Sequence, residues 1–143
     1  MRGDPSGGPK VIRIDRDDPC TIVSMPFEPA SVGAARRLMV ADLRHAAAPE
    51  VLDDAQLVLS ELVTNGLTHG QPADSSRIEV GWCLLHHHVR VCVCDGGFSS
   101  ELQPLHGSPL AEGGRGLAIV DALSDRWSVD NTSGTRVTAD IAI

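Results

Sequence analysis

The chain has 143 residues, with 12 Lys and Arg against 19 Asp and Glu, for a formal net charge of −7. That length suits one domain with its own core, since single cores commonly hold about 100–200 residues. The acidic balance speaks against a nucleic-acid binder, which needs clustered Lys and Arg to neutralise phosphates, and no apolar run approaches the about 20 residues of a membrane span.

Residues 1–10 are rich in Gly and Pro and are expected to form a flexible leader with no secretory signal. Residues 11–143 are expected to form one domain. Val11 to Ile14 is a short apolar piece, and Thr21 to Met25 reads as a strand closed by Pro26. Apolar residues then recur at helical spacing from Val32 to Ala48, with Ser31 a candidate cap. A second helix is expected from Pro49 to Thr68, with Pro49 suited to its first turn. Leu57 lies off its apolar stripe. Ile78, Val80, Trp82 and Leu84 alternate as a strand, and Val89, Val91 and Val93 as a returning one, with His86-His87-His88 between them. The irregular stretch from Phe98 to Glu112 has the length of a functional lid. A short helix is expected from Leu117 to Leu123, then a terminal hairpin around Asn131-Thr132-Ser133-Gly134. Helices on one face of the strands imply an α+β fold, a two-layer α/β sandwich.

With two Trp, two Phe and no Tyr, the core must be aliphatic and bases find few stacking surfaces. Cys20, Cys83, Cys92 and Cys94 show no Cys-x-x-Cys spacing, so free thiols and a cytoplasmic location are expected. Three consecutive His on a strand point to alternating faces, so His86 to His88 are expected to be solvated rather than metal-binding.

Three motifs could carry chemistry. Glu61 and Asn65 are four residues apart, so they project from one helix face. An amide oxygen there can bind Mg²⁺, and a carboxylate can take a proton from a nearby hydroxyl. An ordinary polar helix border would look the same. Asp95-Gly96-Gly97 ends a strand, where a carboxylate can accept an amino proton and Gly97 allows close ligand approach; a plain Asp-Gly turn is the bland alternative. Gly113-Gly114-Arg115-Gly116-Leu117 precedes a helix, and glycine amides at a helix N-terminus suit phosphate. A flexible joint would also fit it.

Taken in order, these motifs resemble a known family. Ser60 to Gly70 resembles the asparagine box of the GHKL ATPases (gyrase, Hsp90, histidine kinase, MutL), Val93 to Gly97 their first glycine box, and Gly113 to Asp121 their second. Glu28 to Val32, Ala35-Arg36-Arg37 and Leu123 to Trp127 resemble the anti-sigma-factor serine kinase branch. Ser99 stands where many members have a further glycine. The resemblance implies the Bergerat-type fold, with a mixed, mostly antiparallel sheet. It implies ATP and Mg²⁺ as cofactors. Asn65 would bind the metal, Glu61 would be the general base, and Asp95 and Gly97 would receive adenine. Gly114, Arg115 and Gly116 would surround the phosphates, and Thr135 would lie near the adenine. Partners would be a sigma factor and a STAS-type anti-anti-sigma protein phosphorylated on serine, with a homodimer expected and no direct nucleic-acid contact. The alternative is a protein-binding module of the same fold that uses nucleotide only as a switch or not at all.

Overall fold

The computed structural model describes residues 8–14, 19–72, 76–96, 114–132 and 134–143. In chain order these form β1 (Lys10–Ile14), β2 (Cys20–Pro26), α1 (Ala30–Leu43), α2 (Pro49–His69), β3 (Arg77–Leu84), β4 (His88–Asp95), α3 (Gly114–Leu123), β5 (Arg126–Asp130) and β6 (Thr135–Ala142). The strands make one sheet in the order β1-β2-β3-β4-β6-β5. Every described pairing is antiparallel, in keeping with the mostly antiparallel sheet that was expected. The apolar piece at Val11 is an edge strand, β1, and it opens at Lys10.

Alternation divides the sheet into two faces. Val23 and Met25 on β2, Val80 and Trp82 on β3, and Val89, Val91 and Val93 on β4 are buried. Val137, Ala139 and Ile141 continue this face on β6. The helices cover it. Ser31, Ala35, Met39 and Leu43 recur every four residues along α1 and form its buried stripe. Helix α2 has 21 residues, so it runs about 31 Å. It buries Leu52, Ala55, Val58, Leu59, Leu62 and Val63. From α3, Leu117 and Val120 complete the core. The result is an α+β sandwich of one sheet and one helical layer, with an aliphatic interior.

Helix α1 ends at Leu43, five residues before the Ala48 that periodicity suggested. Residues 44–48 connect it to α2, which starts with Pro at its first position. Ser31 is not a cap: it lies inside α1, and its Oγ donates to the Pro26 carbonyl at 2.6 Å, tying the helix to the end of β2.

The expectation of four free thiols fails at one pair. Cys20 and Cys83 face each other across β2 and β3 and form a disulfide. Strand register brings them together from 63 positions apart, so no local spacing could announce the pair. Cys92 and Cys94 are in no disulfide and are half-buried, and burial raises both thiol pKa values. His86 and His87 are exposed in the β3–β4 turn, whereas His88 opens β4 with Nε2 3.0 Å from Asp125 Oδ2. Leu57 is exposed on α2.

Candidate functional site

The C-terminal third of α2 lies over the ends of β4 and β6. Glu61 and Asn65 sit one turn apart on this helix, Glu61 half-buried and Asn65 only 8% exposed. The Asn65 amide nitrogen, Nδ2, is buried with no hydrogen-bond partner among the described residues. A lone buried polar atom of this kind costs about 1–3 kcal/mol. Few native groups bear that cost without a ligand or another role to use them.

Asp95 is the last residue of β4 and pairs with Thr135, the first of β6. Both belong to the helix-facing set, and both are buried, at 4% and 1% exposure. Helix α2 can approach here because its residue 66 is glycine. A Cβ at Gly66 would stand 3.1 Å from Ile78 Cδ1 and 3.7 Å from Asp95 Oδ2. Beyond the helix end, Gln71 donates its main-chain N–H to Asp95 Oδ1 at 3.4 Å, and Gly96 donates to the Gln71 carbonyl at 2.8 Å. Gly134 has φ of +80°, a left-handed conformation that glycine adopts without strain, and a Cβ there would run into the Asp95 carbonyl oxygen. The Thr135 hydroxyl donates to Asn131 Oδ1 at 3.0 Å.

Gly114, Arg115 and Gly116 form the first turn of α3, so the helix starts three residues earlier than Leu117. The glycine segment therefore supplies the unbonded N–H groups of a helix start from inside the helix. Helix α3 packs on α2. Gly97, Gly113 and the expected lid lie outside the described residues.

The structure thus brings Asn65, Asp95 and Thr135 to one end of the helix–sheet seam, with Glu61 one helical turn along. Gly70, Gln71 and Gly134 were not singled out from sequence as functional. Gly70 closes the asparagine-box segment and Gly134 stands in the expected hairpin loop, positions that by themselves say nothing about the carboxylate they enclose.

A buried carboxylate bounded by glycine and an amide with an open end fit a purine nucleotide and a metal-bridged phosphate group. The amino edge of a purine supplies a donor for the carboxylate, and the amide can present either its oxygen or its nitrogen according to rotation. Among the described residues no group of three or more His, Cys, Asp or Glu is arranged to hold a metal ion. A metal in this seam would therefore depend on Asn65 together with the ligand's own oxygens.

Two comparisons bear on this reading. The chain is 29% identical over 129 residues to the serine-protein kinase RsbW of Oceanobacillus iheyensis, covering 80% of this chain and 81% of that protein. The family model described as histidine kinase-like ATPase domain matches residues 25–141, which span every element from the end of β2 into β6. On that match, the chain belongs to the histidine kinase-like ATPase domain family.

Proposed function

We propose that the protein is an ATP-dependent serine kinase of the anti-sigma type. It would bind a sigma factor and phosphorylate a STAS-type anti-anti-sigma protein. The observation that carries the reading is the buried Asn65 Nδ2, without a hydrogen-bond partner among the described residues, next in sequence to the Gly66 that lies against the Asp95 carboxylate. The likeness to a protein named as a serine kinase gives the reaction class. The proposed setting is cytoplasmic, in keeping with the family resemblance and no longer with free thiols, since Cys20 and Cys83 are bonded, and a homodimer is the proposed working form. Among the described residues, no helix is long and apolar enough to cross a membrane.

In this reading Asn65 would hold Mg²⁺, which supplies charge neutralisation of the phosphates. Asp95 would accept a hydrogen bond from the adenine amino group, with Thr135 nearby. Gly97 would let the purine lie close to the main chain. The α3 start, with Gly114, Arg115 and Gly116, would receive the phosphate oxygens. Glu61 would take the proton of the acceptor serine as its oxygen bonds to the terminal phosphorus and the bond to the bridging oxygen breaks, releasing ADP. The protein's contribution is positioning and charge placement rather than covalent chemistry.

Incubating the full chain with Mg²⁺, γ-labelled ATP and STAS-type proteins should label a serine. Glu61→Ala should slow transfer by about 100-fold or more, the usual contribution of a general base. Equal labelling by wild type and Glu61→Ala would remove Glu61 from this role. Calorimetry that finds no Mg-ATP binding at millimolar nucleotide would leave the protein-binding module instead.

A further inference from the structure

We propose that Gly70 is the positioning residue that sets the direction of the Asp95 carboxylate, and thereby the preference for a purine carrying a 6-amino group. The inference rests on the adenine role proposed for Asp95.

Gly70 follows directly on α2, and its N–H donates to the Gly66 carbonyl at 2.9 Å. Its backbone, with φ of −89° and ψ of −168°, is extended and open to any residue. Conformational freedom therefore does not explain a glycine here. Space does. A Cβ at this position would run into both Oδ2 and Cγ of Asp95, as well as the Gly66 carbonyl oxygen. The following residue holds the other side of the carboxylate, through the Gln71 N–H on Oδ1. Oδ1 thus meets the Gln71 N–H, and Oδ2 lies close to two glycines, Gly66 and Gly70.

The rest of Asp95 has little freedom to adjust. Its main chain is fixed by pairing with Thr135 and by the close approach of Gly134 at its carbonyl. Only the side-chain torsions remain, and a methyl group at residue 70 would occupy the space of the carboxylate. Hydrogen bonds weaken steeply with poor angle and distance, so turning this carboxylate forfeits its bond to a fixed donor. The same geometry discriminates between bases. An amino group at the purine 6 position donates to the carboxylate, whereas an oxo group there would set two acceptors against each other.

The test is calorimetry on the full chain with Mg-ATP and Mg-inosine triphosphate, which carries the 6-oxo group. Wild type should prefer ATP by at least about tenfold, the difference of one buried hydrogen bond to a charged group. Gly70→Ala should weaken ATP binding while leaving inosine triphosphate nearly unchanged, so that the ratio collapses. A general structural role would lower both affinities together. If Asp95→Asn collapses the ratio and Gly70→Ala does not, Asp95 reads the base but Gly70 does not position it. If Asp95→Asn leaves the ratio intact, the adenine role fails and this inference with it. Should Gly70→Ala alone not fold, the double variant with Asp95→Ala decides. Recovery of folding once the carboxylate is gone supports the role toward Asp95, whereas failure to recover assigns the glycine to the Gly66 carbonyl, which the double variant still meets, and overturns that role.

Discussion

The two ends of the helix–sheet seam handle polar groups in opposite ways. At the end marked by Trp82, Asp42 of α1 is saturated. Its Oδ1 accepts from Arg13 at 2.7 Å, and its Oδ2 accepts from Thr21 at 2.9 Å and Trp82 Nε1 at 2.8 Å. Those donors come from β1, β2 and β3, so one carboxylate ties three strands to a helix. On the opposite sheet face, Cys20 and Cys83 bond the strands next to Thr21 and Trp82. At the other end, the Asn65 amide nitrogen has no hydrogen-bond partner among the described residues, and Asp95 is bounded by glycine. Saturated groups add stability, whereas an unsatisfied buried group reduces it and calls for a ligand or another role. The contrast separates a structural end from a functional one.

The largest expected effect belongs to the structural end. Reducing Cys20–Cys83 frees a loop closed across 63 positions, and chain entropy puts the cost at about 4 kcal/mol. Denaturant titrations with and without a dithiol reductant measure it. Nucleotide affinity should hold wherever the reduced chain stays folded. At the functional end the pattern reverses. Asn65→Ala should reduce Mg-ATP affinity by about 100-fold, or about 2.7 kcal/mol, with a melting temperature no lower than wild type. A large loss of stability in that variant would erase the distinction between the two ends.

Asp42→Asn comes next, with an expected loss of about 2 kcal/mol, in the range for hydrogen bonds to charged groups. Burial alone would raise the Asp42 pKa, but hydrogen bonds from Trp82, Arg13 and Thr21 outweigh it and leave the value below 3.8. The folded pKa is thus depressed, so the stabilisation is present above the unfolded value near 4 and is lost as pH falls through the folded one. Acid titration of stability should be shallower in Asp42→Asn than in wild type. The smallest effect is Ser31→Ala, which removes the bond to the Pro26 carbonyl for about 1 kcal/mol and should leave nucleotide binding unchanged.

Much of the fold was legible from periodicity. The stripe of α2, the β3–β4 hairpin and the terminal hairpin follow from spacing, since apolar side chains must share a face to be buried together. The end of α1 was less legible, because Ala46 to Ala48 continue an apolar pattern that the turn before Pro49 interrupts. The strand β1 was under-read because its Val11 and Ile12 stay exposed at the sheet edge, so no clean alternation marks it.

By itself, the sequence determined which residues could do chemistry and in what order they come: a carboxylate and an amide on one helix face, an Asp at a strand end, and glycines before a helix. Local spacing carries that information because helix and strand periods are fixed by backbone geometry. Tertiary structure alone decided that Cys20 meets Cys83, that Asp42 is saturated while Asn65 is not, and that Gly70 lies against Asp95. Those contacts depend on strand register and on how closely α2 approaches the sheet, distances that residues far apart in the chain acquire only when the two layers pack.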